Sequence, residues 1–524
     1  MIIARENYLN RLIGKRENGQ IKIITGIRRC GKSFLLNVLY RQYLLSTGVE
    51  EDHIIMLALD EDENARYRNP IHLGNYIRGL LVDQNSMYYI FLDEIQKVQI
   101  IANPYVPGGT DTIGFVDVLL GLMKKKNADV YVTGSNSKML SSDIVTEFRG
   151  RGDEIKLHPL TYKEFLEAYQ GDKNNAWEDY WTYGGMPMIL SMTGHEEKSR
   201  YLKDLFDKIY VSDVIERNKI TNDIEVLEEL LNVTASAVGS LTNPARLEKA
   251  FAAGERHMIV SHNTISKYLD YFVDAFVLYK SHRFNVKGKT YLVTPLKYYF
   301  TDVGLRNARL NFRQQEETHL MENVIYNNLI AWGCNVDVGV VEIWEKNIKK
   351  QLEIDFVVNK GSSTVYIHSA LALNDTEKRM QETRPLSNTG DSFRKIIVVK
   401  DNINPWYDEQ GILYVGVEQF LLQEDILGLV NDRNSIKRPP KQKRNTTQDT
   451  TQASVRITNQ LKHFSEEDKA ILDVFESNPY ASIQNVSDMI GWNVNKIKYY
   501  VNKLKKKNVL VREGTSQKGK WIVI

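Results

Sequence analysis

The 524-residue chain carries 68 Lys+Arg against 66 Asp+Glu, a formal charge of +2, and is 42% hydrophobic. That apolar share supports sizeable cores, and no run reaches the roughly eighteen apolar residues of a membrane-spanning helix. Two cysteines, Cys30 and Cys334, leave no room for a disulfide framework and point to a cytoplasmic, reducing setting.

The charge is unevenly spread. From Arg433 to Ile524 there are 18 Lys+Arg and 8 Asp+Glu, a balance of +10, while the rest of the chain carries −8. Such asymmetry points to a basic tail that meets a polyanion, and double-stranded DNA is the expected partner. A solvated basic face is the plain alternative. The opening MIIAR run is too short for a secretory signal.

Residues 1–20 read as a helix leading into a strand. The stretch IKIITGIRRCGKSFLL, Ile21 to Leu36, then follows as an apolar strand, a glycine-punctuated loop and a helix start. The spacing Gly26, Ile27, Arg28, Arg29, Cys30, Gly31, Lys32, Ser33 is that of a phosphate loop, which Phe34 continues. Glycines let backbone N–H groups turn toward phosphate oxygens, and the helix N-terminus adds partial positive charge. Lys32 is placed for the β- and γ-phosphates of ATP and Ser33 for Mg²⁺. Cys30 reads as a small residue that fits the loop, with redox sensitivity as the alternative.

HIIMLALDED, His53 to Asp62, reads as a second strand ending in acids. MYYIFLDEIQKV, Met87 to Val98, delivers Asp93 and Glu94 at the end of a third. Asp93 is expected to hold Mg²⁺ through water, and Glu94 to act as general base on the attacking water. DVYVTGSNSKML, Asp129 to Leu140, ends in Asn136, placed to contact the γ-phosphate or that water, with a polar turn as the alternative. Beyond it, Arg151 first and Arg149 second are candidates to reach a neighbouring subunit's phosphate in a homo-oligomer. A surface ion pair is the alternative for either.

These motifs, with LHPLTYKEFL and YGGMP after them, occur in one order that resembles prokaryotic AAA-type ATPases bearing a C-terminal nuclease-fold-like domain of unknown function. The resemblance covers about residues 1–430 and is most specific over the first 190. It implies an α/β P-loop core with a parallel sheet flanked by helices, and ATP as ligand.

From Trp177 to about Leu310 the period is mostly helical, and Ser261–Lys280 reads as one capped amphipathic helix. With the hairpin after it this is a winged-helix-like pattern, read as a packing module. HLMENVIYNNLIAWG then carries Glu322 on a helix, LEIDFVVNK carries Asp355 and STVYIHSALAL carries His368. This resembles a restriction-endonuclease-like core, in which acids bind Mg²⁺. The expected acid–x–lysine falls at His368-Ser369-Ala370, and Lys395 is the remaining lysine candidate, so the domain reads as degenerate. A metal-dependent nuclease is the alternative.

Residues 432–460 hold Pro439-Pro440 among basic and Thr/Gln residues without a hydrophobic period, which is a flexible linker. The last segment reads as three helices and a two-stranded wing. Asn493, Asn495, Lys496 and Lys498 on the third helix, with Lys518 and Lys520 on the wing, are the expected DNA contacts. A winged helix that grips protein, in a signalling NTPase, is the alternative. The expected order is therefore an ATPase domain (1–190), a helical and winged-helix-like region (191–310), a nuclease-like α/β domain (311–431), a linker (432–460) and a winged helix-turn-helix (461–524).

Overall fold

The apolar run Ile21–Thr25 forms strand β1 with all five residues buried, as a strand covered on both faces requires. The strands that follow are β2 (Ile54–Ala58), β3 (Tyr88–Asp93), a small hairpin of β4 (Ile101–Ala102) and β5 (Thr112–Ile113), β6 (Ala128–Thr133) and β7 (Gly152–Lys156). β1, β2, β3, β6 and β7 make one sheet in the order β2-β3-β6-β1-β7, every pairing parallel. A parallel sheet brings the C-terminal ends of its strands to one edge. The loops after β1 and β3 therefore meet there, with the end of β6 between them. Lys22, wholly buried in β1, is neutralised by Asp129 and lies 5.0 Å from the Tyr131 ring centroid.

This computed structural model describes residues 2–134, 152–221, 224–254, 257–313, 316–373, 376–428, 466–478, 481–506, 509–513 and 520–523. They fall into two units, Met1–Arg433 and Asn434–Ile524.

A second sheet of the first unit uses β8 (Leu241–Thr242), β9 (Leu278–Asn285), β10 (Thr290–Phe300), β11 (Asn335–Glu345), β12 (Ile348–Lys360), β13 (Ser363–Ala370), β14 (Arg394–Val399), β15 (Trp406–Tyr407) and β16 (Leu413–Gly416). Its order is β15-β16-β14-β13-β12-β11-β9-β10-β8, with β9 and β11 parallel neighbours. The sheet thus runs without a break across residue 310, where the sequence suggested a boundary, and the hairpin read as part of a winged-helix pattern is two of its strands. The helix expected over Ser261–Lys280 spans only His262–Asp274. Phe276 turns the chain at a φ of 57°, and Leu278 opens β9, because Phe276, Val277 and Tyr279 are aromatic or β-branched residues that favour a strand.

One hydrophobic core spans both sheets, from Leu12, Ile24 and Phe91 to Leu269, Val324, Phe356 and Val415. The Tyr183–Pro187 motif lies at this junction. Gly185 exchanges backbone bonds with its surroundings: its O accepts from Leu160 N at 2.7 Å and its N donates to Asp302 Oδ2 at 2.7 Å. A Cβ at Gly185 would stand 2.2 Å from Leu160 O, a backbone atom that cannot swing away. Gly185→Ala is expected to destabilise the chain by about 1–3 kcal/mol, the usual cost of overpacking. An unfolding midpoint equal to wild type would count against so tight a junction.

Asp302 also caps the helix Val303–Arg309 through Leu305 N, at 3.0 Å. Burial pushes its carboxyl up to about 6, against backbone N–H donors that favour the anion. The native state therefore keeps this proton above the ordinary value of 3.8. The stability it contributes is fully present below about pH 4 and is lost as pH rises to about 6. The displacement corresponds to about 3 kcal/mol. Asp302→Asn, neutral throughout, should gain on wild type by about that much between pH 4 and 6 in paired denaturant melts. A constant gap would exclude this linkage.

In the second unit, helices Glu466–Ser477, Ile483–Ile490 and Val494–Lys506 precede the antiparallel pair β17 (Leu510–Glu513) and β18 (Lys520–Val523). Ser482 Oγ caps the second helix by accepting from Asn485 N at 3.1 Å, and Gly491 ends it in the left-handed region. Ile471, Phe475, Val486, Ile497, Val501, Leu504 and Trp521 form its separate core.

Candidate active site

The loop Gly26–Gly31 bends because its glycines accept backbone angles that other residues avoid. Gly26 has a φ of 143°, and a Cβ there would meet Leu157 O at 2.2 Å. A helical run from Lys32 to Ser46, π-helical over Leu35–Tyr40, follows directly. Its first-turn N–H groups have no preceding carbonyl to bond and face the loop. Lys32 is buried, and its Nζ donates to Gly26 O at 2.9 Å and Ile27 O at 3.1 Å. Cys30 Sγ, also buried, donates to Leu157 O at 3.6 Å, and burial raises its thiol. A buried thiol with a raised pKa favours the reading of Cys30 as a small residue that fits the loop over the redox alternative.

At the end of β3, Asp93 Oδ1 accepts from Thr133 Oγ1, and that same hydroxyl oxygen accepts from Glu94 N at 3.1 Å. Asp93 Oδ2 takes no hydrogen bond among the described residues. Glu94 has a left-handed φ of 51°, and its Oε2 accepts from Gln96 Nε2. Thr133 closes β6, the strand between β1 and β3, so one side chain ties both acids to the strand beside the loop. Thr133 escaped the sequence reading, although it stands three residues before the polar position singled out there.

Glu94 and the loop from Arg28 onward border a cavity of about 770 Å³. Arg28 to Phe34, Asp60, Glu94 and Lys97 line it from the first sheet. Leu160, Pro187, Met188, Leu205 and Lys208 line it from the segments beyond, and Ile3 and Arg5 from the N-terminus. The contributions of Ile3, Arg5 and residues 187–208 were not legible locally, because they come from chain distant in sequence. Asn136, Arg149 and Arg151 lie outside the described residues, as does Lys518.

The structure does bring Glu322, Asp355 and His368 together. Glu322 Oε1 accepts from Lys297 Nζ at 2.7 Å and Tyr299 OH at 2.6 Å, and Asp355 Oδ2 accepts from Ser369 N at 2.8 Å and Oγ at 2.7 Å. Lys297 also reaches Glu353 at 2.8 Å, and His368 spans Asp355 and Glu382. Burial pushes Glu322 up to about 7; it opposes the charge on His368, but the two carboxylates outweigh it and raise His368 to about 9. Lys395 Nζ donates to Asp391 O instead. Lys297 thus holds Glu322 and Glu353, while Ser369 and His368 hold Asp355, so protein donors already bind these acids.

On the third helix of the second unit, Asn495, Lys496 and Lys498 are exposed. Asn493 Oδ1 caps this helix by accepting from Asn495 N at 2.8 Å, and Lys496 Nζ lies 3.9 Å from the Trp492 ring centroid. Lys520 is exposed on the wing. Tyr499, 65% exposed, and Asn502 share the face of Asn495 and Lys498. The i, i+3, i+4, i+7 spacing from Asn495 carried that signal.

A parallel five-stranded sheet with this loop after an inner strand, β1, and paired acids two strands away on β3 defines a P-loop NTPase core. The AAA domain family matches residues 18–166, a domain of unknown function matches 174–316, and a winged helix-turn-helix DNA-binding family matches 466–511. The chain belongs to the same family as an uncharacterized protein of Haemophilus influenzae, 30% identical over 430 residues that span 80% of this chain and 99% of that protein. An uncharacterized protein of Methanocaldococcus jannaschii is 27% identical over 69% of this chain and 77% of its own length. Among solved structures, a Walker-type ATPase of Pyrococcus abyssi aligns with a TM-score of 0.40 and 13% identity, covering 59% of this chain and 96% of that one. No helix of the described residues is long and apolar enough to cross a membrane.

Proposed function

We propose that the chain binds ATP with Mg²⁺ in the 770 Å³ cavity, hydrolyses it, and couples that cycle to duplex DNA through the winged helix. The observation that carries the reading is the meeting of the Gly26–Ser33 loop and the Asp93–Glu94 pair at one edge of the sheet, where Arg28–Ser33 and Glu94 line the cavity and Thr133 joins the two acids. The cavity is of ordinary size for a nucleotide-sized ligand.

The donor set suits the ligand. Backbone N–H groups of the loop and Lys32 offer hydrogen bonds to phosphate oxygens, and Ser33 Oγ with Asp93 Oδ2 supplies the hard oxygen atoms that Mg²⁺ prefers. When bound, that cation would neutralise charge on the β- and γ-phosphates. Lys32 would exchange its bonds to Gly26 O and Ile27 O for the phosphates. Glu94, released from Gln96, would accept a proton from the attacking water. Thr133 would hold Asp93 and the Glu94 backbone in register throughout. Asn136 as sensor and Arg151 as a finger toward a second copy remain part of the proposal.

In the second unit, Asn495, Lys498, Tyr499 and Asn502 would face the major groove, with Asn493, Lys496, Lys518 and Lys520 at its margins. Lys498→Ala is expected to weaken binding to unrelated duplexes alike and to lower the salt slope by about 1. A loss confined to one sequence would make Lys498 a base reader instead.

The coupling is tested by steady-state hydrolysis with and without duplex DNA, in the full chain and in a chain ending at Arg433. DNA stimulation that requires the tail supports it. Equal rates in all four conditions would leave the ATPase and remove DNA, favouring a protein partner for the winged helix.

A further inference from the structure

The helix Val494–Lys506 of the second unit carries a polar stripe opposite its core face. Ile497, Val501 and Leu504 pack inward, while Asn495 and Asn502, two turns apart, lie on the far side with Tyr499 between them. All three are exposed, and neither asparagine side-chain amide takes a hydrogen bond among the described residues. Asn493 makes the helix cap with the backbone N of Asn495, which leaves the Asn495 carboxamide out of it. Lys496, Lys503 and Lys505 are engaged within the unit. Lys496 Nζ lies 3.9 Å from the Trp492 ring centroid, Lys503 Nζ donates to Asp468 Oδ2 at 2.9 Å, and Lys505 Nζ lies 5.7 Å from the Trp521 ring centroid.

The residue types on this stripe match one set of base edges. A carboxamide offers a donor and an acceptor side by side, the complement of N7 and the N6 amino group that adenine shows in the major groove. Arginine, whose fork fits the two acceptors of guanine, is absent from Asn493 to Lys506. An aromatic ring suits the methyl group of thymine, the partner of adenine. The two asparagines stand about 10 Å apart along the helix axis, against about 3.4 Å between stacked base pairs, so each reaches a different pair. The +10 balance from Arg433 to Ile524 attracts the phosphate backbone but chooses no sequence, and that choice falls to the stripe.

We propose that Asn495 and Asn502 each read an adenine, Nδ2–H donating to N7 and Oδ1 accepting from the N6 amino group, with the Tyr499 ring against a thymine methyl, so that the winged helix selects A·T pairs. The assignment rests on the DNA-binding reading above and adds to it the base pairs that are chosen and the residues that choose them.

The test is fluorescence anisotropy of the full chain, at one salt concentration, with two labelled duplexes of equal length, one of alternating A·T and one of alternating G·C pairs. A third duplex replaces adenine by 7-deazaadenine, which lacks N7 but still pairs with thymine. Wild type is expected to bind A·T at least about tenfold more tightly than G·C, the discrimination of one bidentate contact. Removing N7 should cost at least about fivefold, one hydrogen bond at each asparagine. Asn495→Ala and Asn502→Ala, at exposed positions where alanine favours the helix, should each lose about tenfold on the A·T duplex. The double variant should no longer respond to 7-deazaadenine, and its slope against salt should be retained because no cation is removed. A wild type without A·T preference overturns the proposal. A preference that survives either 7-deazaadenine or the double variant overturns it too, and makes the selection one of duplex shape. A chain that binds neither duplex at low salt refutes the DNA-binding reading itself, and the base assignment falls with it.

Discussion

Replacing Lys32 with alanine is expected to cut ATP turnover by a factor of about 10²–10³ or more, the scale of removing one preorganised donor from a water-poor site. The lysine is 5% exposed, and its ammonium now serves two carbonyls of its own loop. Lys32 lines the cavity, so water entering the vacated volume would solvate those carbonyls, and the expected cost to folding is modest. The cost to phosphate binding is not, because no neutral group replaces a point charge at that place. The variant should melt close to wild type while losing both affinity and rate. Wild-type turnover from a folded Lys32→Ala protein would remove the loop from the chemistry.

Glu94→Gln separates binding from catalysis. The amide keeps the size of the side chain and can still bond Gln96, so ATP affinity should stay within a few-fold of wild type. A general base contributes about 10²–10⁴ in rate, and the amide cannot accept the proton. Nucleotide should therefore be held but hardly turned over. If affinity falls with rate, Glu94 supports the cation or the loop rather than the water. Its neighbour Asp93, tied to Thr133, would be expected to show that second pattern.

Much of the first sheet was legible because its signals are local. Ile21–Thr25 is continuous apolar sequence followed by glycines at fixed spacing, and Tyr88–Asp93 is an apolar run that ends in acids. The winged helix was legible for the same reason, since its three helices and wing follow one another without long-range pairing. The second sheet was not. β9 pairs in parallel with β11 across some fifty intervening residues, and no local pattern records that. The helix Glu317–Ala331 is buried along most of its length, so its period carried little information about what covers it. Lys297 illustrates the limit most directly: a lysine in a strand looked unremarkable in sequence, yet it fills the acid cluster on which a nuclease reading depends. Arg5 is the same lesson at the cavity, a residue whose surroundings are Glu164 and His158, far away in the chain.

Phosphate release from ATP by the purified full chain, with Mg²⁺ and beside Lys32→Ala and Glu94→Gln, decides whether the loop and the paired acids hydrolyse nucleotide. Steady release is expected from wild type and near-background release from both variants, with only Glu94→Gln still retaining nucleotide. A wild-type chain that neither binds nor cleaves ATP, or variants that cleave it as wild type does, would contradict that expectation.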